Sequence, residues 1–330
     1  MAEAVRKTMK EQARRSTRLH SARDASPAGP QAAPEHLGGP TAMPSAARAG
    51  EILVRVQGCG MDPATDIEPM PADAAPQPHG IDAAGSVIAT GAGVTRFAVG
   101  DDVFGHFPAG SWAWVQAPCA RLIADGPHVE RRPEGLSPLA AAALARSGLV
   151  AKTILRAAEP RAGQTAVVIG PSSGPGVLLL SLLRETGARV IAGATSGDDE
   201  ELARSLGAAE TIEWSTADPV GEALAHHPDI DLLVDLVSFG APYFITAGAP
   251  SGTIVVDVPD AEADEAYPPA PGAPRVRIAA EPGDLAALAR RAVDAHQPID
   301  IAGVYRLEEA GHALPGIHGR QGPRALAAGA

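Results

Sequence analysis

The chain has 330 residues, 45% hydrophobic and 20% charged, the balance of a globular protein with enough length for two cores. Its 39 Asp and Glu outnumber 27 Lys and Arg, and a net charge of -12 excludes a nucleic-acid grip built on a basic stripe. Two cysteines, Cys59 and Cys119, are too few for a disulfide framework or a cysteine zinc site, which points to a reducing, cytoplasmic compartment.

Residues 1 to 45 open with the basic run RKTMKEQARRSTRLHSAR, which has no aromatics for stacking, and continue into a stretch rich in proline, glycine and alanine. This reads as a solvated, low-complexity tail. No signal peptide or membrane span is expected, because the longest apolar run, VLLLSLL, falls far short of the roughly 20 residues a spanning helix needs. At GEILVRVQGCG the alternation of Ile52, Val54 and Val56 predicts a half-buried strand. Two more strands, GSVIAT and DDVFGHF, flank the turn GAGVTRFAVG.

Near Leu139 the period changes. SPLAAAALARSGLVAKTIL predicts a helix with Ser137 as N-cap and Pro138 at its first position. Strand TAVVIG, helix GVLLLSLLRETG, strand ARVIAGAT, helix DDEELARSLGA and the strands ETIEW, IDLLVDLV and GTIVVDV follow. Valine- and isoleucine-rich strands alternating with helices predict a parallel sheet. The last part, from GDLAALARR to GHAL, predicts two amphipathic helices around a short strand.

Between TAVVIG and its helix lies the turn GPSSGPG, with Gly170, Ser173 and Gly176 at the first, middle and last positions of a G-x-x-G-x-x-G pattern. A pyrophosphate binds at such a turn because unpaired N–H groups at the helix start, and the helix dipole, face the anion. Gly170, Ser172, Ser173, Gly174 and Gly176 are the candidate binding residues. Ser173 puts a Cβ where close backbone approach is wanted, and Pro175 removes one N–H. Losing one charge-assisted hydrogen bond costs roughly 1.5–3 kcal/mol. The other reading is that the turn merely packs helix on strand.

With these motifs placed, the chain resembles the zinc-independent branch of the medium-chain dehydrogenase/reductase superfamily, the quinone oxidoreductase-like and enoyl reductase-like proteins. The motifs are GEILVRVQGCGMDPATD, GIDAAGSVIATGAGVTRFAVGDDVFG, PEGLSPLAAAAL with SGLVAKTIL, and VYRLEEAGHAL. The resemblance implies an α/β protein: a GroES-like β-rich domain over residues 46–140 and 281–330, and a Rossmann-type doubly wound parallel sheet over 141–280. It implies hydride transfer from NADPH or NADH to the β-carbon of an enone or a quinone, with a proton following to the enolate. Zinc is not implied, since Asp62, Ile81 and Ser147 stand where zinc-using relatives carry ligands and isoleucine cannot ligate.

On the same resemblance Asp62 and Arg146 are the candidate catalytic residues. Asp62 stands near the nicotinamide or substrate, where a carboxylate exchanges a proton if burial raises its pKa, or else serves an Asx-turn before Pro63. Arg146 stands at the cleft-facing end of the entry helix, to hold an anionic substrate group or to lie at the surface. Thr195, Ser196 and Asp198 fall where relatives hold the adenine ribose. Asp198 and Asp199 favour NADH by repelling a 2′-phosphate, though Ser196 with Asp199 also has the spacing of a capping box. No strand is recognisable at the C-terminus, and the strand that precedes GEILVRV in the family is replaced by the tail. GTIVVDV with PRVRIAA offers a sheet edge for a homodimer.

The histidines are expected at the surface or in ordinary hydrogen bonds, with no partner at ligand spacing. Trp112 and Trp114, two apart, are expected on one side of a strand, lining a flat substrate site or packing in the core. A second functional reading stands beside the reductase: a fold that has lost efficient cofactor use and acts as a binding protein.

Overall fold

The computed structural model describes residues 46–61, 81–107, 119–123, 126–194, 197–213, 225–236, 254–257, 279–294, 299, 301, 304–306 and 324–327. Asp62, Thr195, Ser196, Trp112, Trp114 and the tail lie outside the described residues.

Strand β1 (Glu51–Met61) pairs antiparallel with β2 (Ile81–Thr90), β2 with β3 (Asp102–Phe107), and β3 with β5 (Val129–Arg131); β4 (Cys119–Ile123) pairs with β1. The period-2 pattern sorts their residues. Ile52, Val54 and Val56 meet Ala83, Val87, Val103 and Val129 in one cluster, as their alternation requires. From the other face Ala84 and Phe104 join a second, larger cluster.

That larger cluster is organised by helix α1 (Pro138–Ala158). Ser137 caps it, its hydroxyl accepting from the Ala140 N–H at 3.2 Å, with proline in the first turn. Glu159 ends it in the left-handed region at φ 43°. Because Ala141 to Ala145 and Leu149, Val150 and Ile154 are all buried, the helix is covered on several sides. It is long and apolar enough to cross a membrane, yet 67% of its apolar window is buried within the protein. Counting apolar runs misses it because its hydropathy comes from spaced alanines.

The second sheet is parallel and alternates strand and helix: β6 (Thr165–Ile169), α2 (Gly174–Glu185), β7 (Arg189–Ala194), α3 (Gly197–Ser205), β8 (Glu210–Glu213), β9 (Leu232–Asp235) and β10 (Ile254–Asp257). Its spatial order is β10-β9-β6-β7-β8, so the chain moves outward one way from β6 and then outward the other way. This is the doubly wound arrangement, whose crevice opens at the carboxyl ends of β6 and β9, where the winding reverses.

Helix α4 (Asp284–Val293) buries Leu285, Leu288 and Ala289 in the larger cluster. Arg291 holds Glu185 of α2 through two hydrogen bonds of 2.6 and 2.8 Å. The chain then returns to the first sheet. Strand β12 (Arg324–Ala327) runs antiparallel to β1, and β11 (Val304–Arg306) pairs parallel to β12. A C-terminal strand is therefore present where sequence reading found none. RALA has neither β-branched residues nor alternation, so its strand character comes from the backbone edge that Gly58 to Met61 present to it.

Candidate cofactor turn and the polar row of the first sheet

The turn between β6 and α2 is a tight glycine turn. Gly170 sits at φ +78°, where a side chain is strained, and a Cβ on Gly176 would lie 2.2 Å from the Gly170 carbonyl oxygen. Helix and strand therefore meet as closely as glycine alone permits. Pro171, Ser172, Gly174, Pro175 and Gly176 are buried, with Ser172 2% exposed.

Ser173 is the N-cap of α2. Its hydroxyl donates to the Gly170 carbonyl at 2.8 Å and accepts from the Gly176 N–H at 3.1 Å, while its own N–H goes to the Gly170 carbonyl at 3.1 Å. The Val177 N–H bonds the Ser173 carbonyl at 3.0 Å. With Pro175 lacking an N–H, the first turn of α2 keeps Gly174 N–H as the donor not given to the helix or its cap. The sequence anticipated the loss at Pro175. The second loss, at Gly176, follows from the side-chain rotamer of Ser173 and was not legible.

The other candidates are placed separately. Arg146 is partly buried on α1, one helical turn beyond Ala142, and is already engaged in an interaction of its own. Ser147 beside it is buried. Asp198 is exposed in the first turn of α3 together with Asp199 and Glu200, and Glu200 pairs with Arg204 at 2.8 Å. Acids at that position suit the positive end of the helix dipole. Among the described residues no three His, Cys, Asp or Glu side chains are grouped to hold a metal ion.

A group that sequence reading passed over lies in the first sheet. Register puts Gly60 of β1, Asp82 of β2 and His106 of β3 side by side on neighbouring strands. The Asp82 carboxylate accepts from His106 Nδ1 at 2.8 Å, both side chains nearly buried. The His128 ring lies 6.4 Å away, and its buried Nδ1 has no hydrogen-bond partner among the described residues. Burial, then the nearby His106, holds the His128 pKa below the usual histidine value. Burial, then the Asp82 charge, pushes the Cys59 thiol up to about 12, which makes it an inert packing group. A second ordinary histidine bond joins His227 to Glu210 at 3.0 Å. The missed signal was that Asp82 and His106 share a rung, which needs the register of two strands joined by a loop.

The family described as alcohol dehydrogenase GroES-like domain matches residues 48–155. The structure of Escherichia coli quinone oxidoreductase complexed with NADPH superimposes with a TM-score of 0.71 at 18% identity, covering 87% of this chain and 94% of that one. The chain thus shares the fold of that quinone oxidoreductase. It is 33% identical over 147 residues to a quinone oxidoreductase of Pseudomonas aeruginosa, 44% of this chain and 43% of that protein. It is 30% identical over 188 residues to a trans-enoyl reductase of Aspergillus terreus, 53% of this chain and 51% of that protein. The matches thus span about half, or less, of these curated relatives' length. The two sheets, the first containing the strands of the stretch that matches the GroES-like family and the second parallel, make a GroES-like plus Rossmann-type fold.

Proposed function

We propose that the chain is a metal-free reductase that uses NADH or NADPH to reduce the conjugated double bond of an enone, or a quinone. The observation that carries this reading is the β6–turn–α2 unit, with Gly170 at positive φ and Gly176 admitting no Cβ, at the winding reversal of a parallel sheet. The named activities of the quinone oxidoreductase and the enoyl reductase relatives support it.

A dinucleotide fits this turn with a reduced donor set. Gly170, Ser172, Ser173, Gly174 and Gly176 would hold the pyrophosphate, chiefly through the Gly174 N–H and the dipole of α2. Thr195, Ser196 and Asp198 would hold the ribose, and the acids of the first turn of α3 oppose a 2′-phosphate, which favours NADH. The bound group supplies hydride to the acceptor's β-carbon; the chain's part is to orient the two reactants and stabilise the enolate oxygen, where Arg146 offers positive charge. Zinc does not suit the triplet Asp62, Ile81 and Ser147, which contains a residue with no donor atom. The β10 edge of the parallel sheet is where a second copy would pair, and a monomer mass by light scattering would refute that.

Calorimetric titration with NADH and with NADPH at low salt tests the reading. Saturable micromolar binding of either, followed by enone-dependent oxidation of that cofactor, is the expected result. Absence of binding to both overturns it and favours the second reading, a fold whose turn has closed on itself through Ser173 and Pro175.

A further inference from the structure

Reduction of a conjugated carbonyl needs a proton as well as a hydride, and the described residues near α1 narrow its source. Arg146 does not release a proton at accessible pH. The Cys59 thiol keeps its proton, because burial and the Asp82 carboxylate both oppose the thiolate. What stands out is the Asp82–His106 pair. It lies on the rung shared with Gly60, at the end of the sheet where β1 runs out at Met61. Ala84 and Phe104, two residues along each strand and on the same face, are buried in the cluster built around α1. A Cβ on Gly60 would lie 2.8 Å from the Ala142 carbonyl oxygen, so the row and α1 are in close approach.

The chemistry of the pair is directional. With the Asp82 carboxylate as acceptor, His106 Nδ1 is the donor in the 2.8 Å bond and Nε2 is the ring nitrogen left for another partner. Among the described residues, the titratable groups facing His106 are Asp82 from β2 and His128 from the turn before β5.

We propose that His106, oriented by Asp82, delivers the proton that completes the reduction, an inference that rests on the reductase reading above. A bound reduced nicotinamide would supply hydride to the β-carbon, and the π pair of the double bond would then form an enolate on the substrate. The enolate α-carbon then takes the Nε2 proton of His106, leaving neutral imidazole, which regains a proton from solvent. Asp82 is a positioning residue in this scheme.

The test uses the full chain with NAD(P)H and an α-methyl enone in D2O, reading kcat against pH and the configuration of the α-deuterium. Wild type is expected to show a titrating limb in kcat and to place deuterium on one face. H106Q is expected to lose that limb, to lower kcat by about 100-fold or more, to scramble the α-centre and to leave nicotinamide affinity unchanged. D82N is expected to displace the limb and lower kcat less, and added imidazole to restore part of the rate of H106A. If H106Q folds and keeps both the limb and the stereochemistry, the proposal is overturned while the reductase reading survives. If neither variant folds, a wild-type kcat that is flat across roughly pH 5 to 8, the range in which histidine titrates, overturns it. A wild-type chain that oxidises neither cofactor with any enone or quinone overturns the reductase reading, and the proposal with it.

Discussion

The two polar regions of this molecule use their hydrogen-bonding groups in opposite ways. The glycine turn spends them on itself: the Ser173 hydroxyl answers both the Gly170 carbonyl and the Gly176 N–H, and Pro175 withholds a donor. The row in the first sheet leaves one over, with Asp82 engaged by His106 and the buried Nδ1 of His128 without a partner among the described residues. A closed polar site is stable and poor at gripping a ligand. An incompletely satisfied one is costly and able to react or titrate.

The largest effect expected from breaking this contrast is at Gly176. G176A places a Cβ against the backbone of Gly170 and Pro171, neither of which is a flexible side-chain end that can swing aside. A loss of about 3 kcal/mol, the upper part of the usual overpacking cost, is expected in urea unfolding, together with loss of dinucleotide binding. An unchanged midpoint would mean that the turn is not held at this distance.

Reopening the turn is the next test. S173G frees the Gly176 N–H at a stability cost of a few tenths of a kcal/mol, since glycine is a tolerable N-cap. Nicotinamide dinucleotide affinity is expected to rise about tenfold, the value of one charge-assisted hydrogen bond at its lower bound. Calorimetry on both proteins reads this directly. No gain would show that donor loss at Gly176 does not limit binding.

The polar row is probed by acid. The pKa of His128 is lowered in the folded chain, so the unfolded chain takes up the proton first, and stability falls as pH drops through the ordinary histidine value near 6.5. Above that pH both states are neutral there and no cost arises. H128Q is therefore expected to flatten the loss of urea midpoint between pH 7 and about pH 5. A parallel loss in the variant would place the acid sensitivity elsewhere.

The smallest effect belongs to the surface analogue of the row. Glu210 has its pKa lowered, first by the hydrogen bond from His227 and also by Arg189, so its contribution is present above the ordinary glutamate value and disappears as pH falls through the depressed one. E210Q is expected to cost less than about 1 kcal/mol at neutral pH and nothing in strong acid, measured by the same unfolding curves. A larger cost would mean that this network, unlike most at a surface, fixes the β8 edge.

What the amino-acid sequence determined by itself is the part of the protein that repeats locally. Alternation in Ile52, Val54 and Val56, the cap at Ser137 with Pro138, and the valine-rich strands around a glycine turn each rest on neighbours a few residues away, and all stand as read. Tertiary structure decided whatever depends on partners far along the chain. RALA is a strand because β1 offers it an edge, and Asp82 meets His106 because two strands align in one register. Even within the glycine turn, residue identity told which donor Pro175 removes, but only the folded rotamer of Ser173 shows that Gly176 is spoken for. Backbone periodicity is encoded over a few residues, whereas register, edge pairing and rotamer are chosen by packing that no short window contains.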